Sequence, residues 1–272
     1  MASRRTVLVT GATDGIGRQT ALELARQGQR VVVHGRSRVR VDEALGQLRA
    51  QVHECEVDGV SFDLGSFAAV RKGAQLVIEK VGALDVLINN AGIFAEERVV
   101  NDAELEATFA VNHLGPFLLT HLLLPQLRGG ADKPPGRVIN VSSIAHTRGR
   151  IHFDDLSLSK GYTGYAAYAQ SKLANVMHAL SLADREPKEG LVAYALHPGV
   201  IATKLLRQGF GPVQGSSVGH GAKTSVVLAT AEDPGPSGSY FSESIATPPA
   251  KAAQDRAQRD RLWDLSMQLC GL

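Results

Sequence analysis

The chain reads as an α/β protein built on a doubly wound, mostly parallel sheet of about seven strands. Two observations predict this. Short apolar, β-branched runs alternate strictly with segments of helical period along the 272 residues. The runs are nearly continuous in apolar residues rather than alternating, as expected of strands buried on both faces. Hydrophobic residues make up 44% and charged residues 21%, which supports a large core and argues against disorder.

The elements follow in order. Thr-Val-Leu-Val at 6–9 is the first strand, and a helix spans 15–27 after a glycine-rich turn. Arg-Val-Val-Val-His at 30–34 is the second strand, with a helix over 41–52. A short third strand at 60–62 leads to a helix over 66–81. Asp-Val-Leu-Ile-Asn at 85–89 is the fourth strand, followed by a long helix over 103–127. Arg-Val-Ile-Asn-Val at 137–141 is the fifth, and the next helix carries Tyr168 and runs to about 184. Val-Ala-Tyr-Ala-Leu at 192–196 is the sixth, and 239–241 forms a seventh. Glycine and proline mark loops at 129–136, a flexible stretch at 209–221, and breaks at 233–238 and 247–249. None separates two self-sufficient cores and no repeat is visible, so one domain is expected over 1–272.

The totals exclude several classes. A net charge of +2 offers no general attraction for nucleic acid or an anionic membrane. Two cysteines, Cys55 and Cys270, stand far apart, which argues against a disulfide framework and fits a reducing, cytoplasmic setting. Nine histidines lack metal-ligand spacing, and His146 and His152 read as loop residues, so no metal is expected. No run of about 18 apolar residues suggests a membrane span. The first apolar run begins by Val7, so neither a signal peptide nor an N-terminal anchor is expected.

Chemically distinctive residues gather after the strands, where open α/β sheets bind ligands. The first turn, Thr10-Gly11-Ala-Thr13-Asp-Gly15-Ile16-Gly17, can bring backbone N–H groups and a helix N-terminus to a pyrophosphate. After the second strand, Arg36 and Ser37 stand where an acid would otherwise select NAD. No acid occurs between Glu23 and Asp42, so Arg36 is expected to pair with a 2′-phosphate, and NADP(H) is preferred, with NAD(H) as second choice. Arg38 and Arg40 continue a basic run that is otherwise solvated. Asp63 and Leu64 follow the third strand, where Asp63 either meets an adenine amino group or caps the helix near Ser66. Asn90, Ala91 and Gly92 follow the fourth, and Ser142 and Ser143 the fifth. The sixth ends in His197-Pro198-Gly199-Val200, with Thr203 beyond; His197 reads as structural. Tyr168 and Lys172 lie four apart on one helical face, where an ammonium would lower a phenol from roughly 10 toward neutrality and make it an acid/base. Pro116 interrupts the long helix and frees a carbonyl, a distortion Asn112 could use to order water. Leu205, Leu206 and Phe210 are apolar candidates for a substrate wall in a small lid over 204–219.

Taken together, these residues resemble the short-chain dehydrogenase/reductase family over nearly the whole chain. Thr-Gly-x-x-x-Gly-Ile-Gly, Asn-Asn-Ala-Gly, a serine, Tyr-x-x-x-Lys and Pro-Gly occur in that order. A nearer similarity is to retinol dehydrogenase-like members. It is carried by 112–120, 140–146, 153–156, 168–175, 197–200 and the terminal Arg-Leu-Trp-Asp-Leu-Ser at 261–266. The resemblance implies a Rossmann-type sheet of order 3-2-1-4-5-6-7 and reversible hydride transfer on a small-molecule carbonyl/alcohol pair, with an apolar, bulky substrate expected. It implies Tyr168 as general acid/base and Lys172 as its tuner and holder of the nicotinamide ribose. It places Ser143 on the substrate oxygen, and Asn112 on a relay water. Gly11, Gly15, Ile16 and Gly17 would surround the pyrophosphate, with Asp63 and Leu64 at the adenine. Asn90, Ala91 and Gly92 would line the ribose, and Thr203 the carboxamide. A homo-oligomer, dimer or tetramer, would use exposed faces of the long helix and the Tyr168 helix. Two other readings stand beside it: a non-catalytic NADP(H) sensor, and a nucleotide-sugar epimerase or dehydratase, which would need a larger region after the sixth strand.

Overall fold

The computed structural model describes residues 4–129, 133–188, 190–211 and 213–272, without the side chain of residue 210. Strands β1 (Thr6–Val9), β2 (Arg30–Gly35), β3 (Val57–Ser61), β4 (Val86–Asn89), β5 (Gly136–Val141), β6 (Leu191–His197) and β7 (Tyr240–Ser242) pair in parallel in the order 3-2-1-4-5-6-7. An eighth strand, β8 (Ile245–Ala246), adds antiparallel to β7 and was not expected.

Side-chain alternation splits the core. Leu8, Val32, Leu87 and Val138 face one layer, built on helices α3 (Phe67–Val81), α5 (Gly115–Leu127) and α6 (Gly164–Arg185). Val7, Val9, Val31, Ile88 and Ile139 face the other, against α1 (Gly15–Arg26), α2 (Arg38–Gln51) and α8 (Val218–Thr230). The sheet is therefore buried on both faces.

The long helix begins later than its periodicity suggests. A turn braced by Asn101, whose carboxamide oxygen accepts from Ala103 and Leu105 N–H, occupies its expected start. Glu106 then caps α4 (Ala107–Phe109), its carboxylate accepting from Thr108 and Phe109 N–H at 2.7 Å each. A π-helical turn, Ala110–Leu114, joins α4 to α5. Its cause is local: Pro116 has no hydrogen for the Asn112 carbonyl, and Gly115 N–H reaches back to Ala110 instead. The stretch Ala107–Leu127 is long and apolar enough by length and composition to cross a membrane, against expectation, but 78% of its apolar window is buried inside the fold.

The stretch after β6 carries two helices that its glycines did not suggest. Thr203 caps α7 (Lys204–Phe210), and Ser217 caps α8, which absorbs Gly219 and Gly221. Two further helices, α9 (Lys251–Gln254) and α10 (Arg256–Cys270), were not read from the sequence. Asp255 caps α10, and Gly271, in the left-handed region at φ 65°, ends it. α10 packs on α6 through Arg185–Asp260 and Arg259–Asp184 ion pairs, and Trp263 stacks edge-on against Phe117 of α5. α10 thus packs on both helices expected to offer faces for oligomerisation, and α6 is buried along most of its length.

Candidate active site

A cleft of about 950 Å³ opens at the carboxyl ends of the strands. The sequence-selected residues after β1, β2, β3, β4, β5 and β6 all reach it, as do Tyr168, Lys172, Leu205 and Leu206. Asn112 lies buried beneath it, and the side chain of Phe210 falls outside the described residues.

The first loop is tied to the loop after β4. The Thr10 hydroxyl accepts from Asn90 and Ala91 N–H at 2.9 and 3.0 Å, and the Asn90 carboxamide donates to the Thr10 carbonyl at 2.8 Å. A methyl at Gly11 (φ 64°) would come within 2.8 Å of the Ala91 backbone. One at Gly17 would come within 2.3 Å of the Asn90 amide. These glycines serve the packing of one loop on another. Gly15 (φ 54°) is different: its nearest neighbour would be a Thr203 methyl at 3.6 Å. It faces the cleft at the N-terminus of α1, beside Thr13 and Ile16.

His34 was not singled out. Its Nδ1 accepts from Gly11 N–H at 3.3 Å, so Nε2 carries the hydrogen donated to the Phe62 carbonyl at 3.0 Å. Burial pushes this imidazole down to about 4, keeping it neutral and the tautomer fixed. A lone polar residue in an otherwise apolar strand was the available signal.

The three arginines after β2 separate. Arg38 pairs with Asp42 and Arg40 with Asp14, while Arg36 lines the cleft, exposed, with no ion pair among the described residues. Ser37 caps α2, and Asp63 accepts from Gly65 N–H at 2.8 Å. The cap of α3 is Ser66, so Asp63 builds the turn rather than the helix start. Leu64 is buried at the cleft wall. Asp14 caps α1 and pairs with Lys204 of α7 at 2.8 Å; that hydrogen bond is the first cause holding its carboxyl below the usual range.

Tyr168, Ser143 and Lys172 converge at the ends of β5 and α6. Tyr168 is hydrogen-bonded to Ser143. Lys172 Nζ donates to the Val141 carbonyl at 3.0 Å and sits 5.5 Å from the centre of the Tyr168 ring. The two serines divide their work: Ser142 donates to the Lys172 carbonyl at 2.7 Å, and Ser143 faces Tyr168. Burial opposes the expected downward pull on the phenol. Burial pushes Tyr168 up to about 12, the Ser143 bond opposing it, and burial also lowers Lys172 to about 8. The physical reason is placement. Tyr168 belongs to an apolar cluster with Ala145 and Ala169, against Phe94 and Leu205, while the ammonium lies over the ring.

The Asn112 side chain is fully engaged as a strut. Its oxygen accepts from Ile93 N–H at 2.8 Å, and its nitrogen donates to the Ile93 carbonyl and to Ser171, both at 3.0 Å. His197 is structural as expected, accepting from Ile144 N–H at 3.1 Å. Gly199 at φ 95° lets Pro198 and Val200 turn along the cleft.

This fold and site define a nucleotide-dependent oxidoreductase class, and the chain belongs to the short-chain dehydrogenase family, whose model, described as short chain dehydrogenase, matches residues 5–210. The chain is 38% identical to retinol dehydrogenase 12 of Mus musculus, with 98% of this chain and 87% of that protein covered. It is 39% identical to retinol dehydrogenase 13 of Homo sapiens, covering 98% and 85%. A crystal structure of an uncharacterized protein from Mycobacterium paratuberculosis superposes with a TM-score of 0.81 at 33% identity, over 99% of this chain and 94% of that one. A short-chain dehydrogenase from Shigella flexneri complexed with NADP shares the fold, with a TM-score of 0.72 at 23% identity over 90% and 98% of the chains.

Proposed function

We propose that this chain is an NADP(H)-dependent oxidoreductase that interconverts an apolar ketone or aldehyde with its alcohol, with Tyr168 as general acid/base. The observation that carries this reading is the convergence of Ser143, Tyr168 and Lys172 in the cleft that also holds the α1 N-terminus. The residues fit a dinucleotide. Gly15 faces the cleft at a positive helix end with no clash for a Cβ there, and Arg36 lines the cleft with no ion pair among the described residues. Gly11, Thr13, Gly15, Ile16 and Gly17 would hold the pyrophosphate, and Arg36 and Ser37 the 2′-phosphate. Asp63 and Leu64 would flank adenine. Asn90, Ala91, Gly92 and Lys172 would hold the nicotinamide ribose, and Pro198, Gly199, Val200 and Thr203 the carboxamide end.

The bound nicotinamide supplies or takes up the hydride. In reduction Tyr168 Oη gives its proton to the substrate oxygen, and in oxidation it takes the proton back. A phenol held protonated by burial suits reduction. Ser143 orients the same oxygen by hydrogen bonding. Lys172, near neutral in its preference, restores the phenol's proton and anchors ribose hydroxyls. Asn112 has no side-chain donor to spare, so a relay water would rest on its carbonyl, opposite Pro116. The names of the retinol dehydrogenase relatives and the apolar surround of Tyr168 both favour an apolar substrate. A turnover panel of aldehydes, ketones, steroids and retinoids with NADPH and NADH tests the reading. Turnover with apolar carbonyls and preference for NADPH is expected; tight NADPH binding with no turnover on any of them would favour the sensor instead.

A further inference from the structure

Phe94 lies just past the Asn90-Ala91-Gly92 loop, and nothing in the sequence pattern marks it. Its position is set from two sides. Asn112 clamps both backbone polar groups of the preceding Ile93, which holds the chain at the entry to Phe94. The ring then lies between two glycines. A methyl on Gly164, the first residue of α6, would come within 2.9 Å of the ring edge. A methyl on Gly209, in the last turn of α7, would come within 2.7 Å of its Cδ2. Real Cβ contacts do not come so close: α7 approaches the ring because Gly209 lacks a side chain, and at Gly164 a methyl would meet the Ala95 carbonyl as well as the ring. The ring also meets Tyr168, with centroids 5.8 Å apart and planes tilted by 51°. Leu205 of α7 joins the same apolar cluster.

We propose that Phe94 is a specificity-determining residue of this site: its ring is the plate on which α7 seats beside Tyr168, and it limits the bulk of the group that a carbonyl carries toward the phenol. The glycine at 209 sets how closely α7 can come down, and Leu205 closes the apolar wall. The substrate-size part rests on the proposed role of Tyr168; the seating of α7 on Phe94 does not.

The test is a double-mutant cycle of Phe94→Ala and Gly209→Ala, read in two ways. The first is hydrogen exchange of the α7 amides in the protein without added ligand. Gly209→Ala is expected to speed exchange over 204–210, because the added methyl meets the ring. The double variant is expected to exchange no faster than Phe94→Ala alone, because no ring remains to meet. Additive effects, or a Gly209→Ala variant that exchanges like the parent, would overturn the seating. The second reading is kcat/KM with NADPH for a small ketone, cyclohexanone, and a bulky one, benzophenone. Phe94→Ala is expected to shift the ratio toward the bulky ketone by about tenfold or more, with the NADPH Kd unchanged. An unchanged ratio in an active enzyme would overturn the specificity role. If the parent turns over neither ketone, nor any other carbonyl, the proposed function fails while the exchange cycle still decides the contact.

Discussion

Arg36, Arg38 and Arg40 alternate along one short stretch, yet their surroundings assign them different tasks. Asp42 engages Arg38 and Asp14 engages Arg40, whereas Arg36 lines the cleft with no ion pair among the described residues. Replacing Arg36 with alanine should therefore raise the Kd for NADPH by about tenfold or more and leave that for NADH nearly unchanged, as isothermal titration would show. Equal losses for both would contradict a 2′-phosphate contact. The sequence separated these three poorly, because spacing reveals a basic run but not which partners it finds. Tyr168 shows the same limit in its ionisation. Four-residue spacing correctly put Lys172 one turn away, but could not show that the ammonium sits over the ring and donates to the Val141 carbonyl. With burial holding the phenol near 12, the ultraviolet difference between the protein and its Tyr168→Phe variant should show no phenolate below about pH 10. Ionisation near neutrality would mean that charge outweighs burial. His34 and Phe94 went unread because one hides in an apolar strand and the other in an unremarkable loop.

Elements were legible where a cap or a turn obeys familiar chemistry. The expected strands and the first three helices lie within a few residues of their observed bounds, with Asp14, Ser37 and Ser66 as caps. The long helix was misjudged at its start because Glu106, a residue type seldom read as a cap, takes the Thr108 and Phe109 N–H groups while Asn101 holds the preceding turn. Removing it should be costly. Glu106→Ala leaves those donors unpaired in the core and should lower unfolding free energy by about 2 kcal/mol in urea titrations. A loss under about 0.5 kcal/mol would show that the turn is held elsewhere. In the glycine-rich stretch after β6, glycine frequency hid two helices: Gly209 allows a close helix approach, and Gly221 packs against Ile201 and Ile16. α10 was missed although Asp255 and Gly271 bracket it, because its polar surface dilutes the apolar period. That helix packs on α5 and α6, the two helices expected to face outward.

At the scale of the molecule, the parallel sheet explains why residues far apart in sequence meet. Each strand end delivers its loop to one edge, and the order 3-2-1-4-5-6-7 sets the first loop beside the fourth. The parallel sheet was legible from the alternation of runs and its strand order from the family resemblance; the edge strand β8 was not, being two residues long. The fold also carries an acid liability. His34 and His113 are buried as neutral rings, pushed from 6.5 to about 4 and about 3 by burial, and His178 lies well below its usual value. Folded-state values below the unfolded ones mean stability is complete above about pH 6.5 and is lost as pH falls through 4 toward 3. Thermal melts should accordingly hold steady from pH 8 to 7 and drop below 6; a melting temperature unchanged at pH 4.5 would contradict buried neutral histidines. The central claim is that the phenol of Tyr168 exchanges the proton while the rest of the cleft holds the nucleotide. Its most direct test compares Tyr168→Phe with the parent in NADPH fluorescence binding and in kcat on a carbonyl both bind. The expected result is an unchanged NADPH Kd with kcat reduced by about 100-fold or more, and a variant that binds NADPH normally and turns over at the parent rate would contradict it.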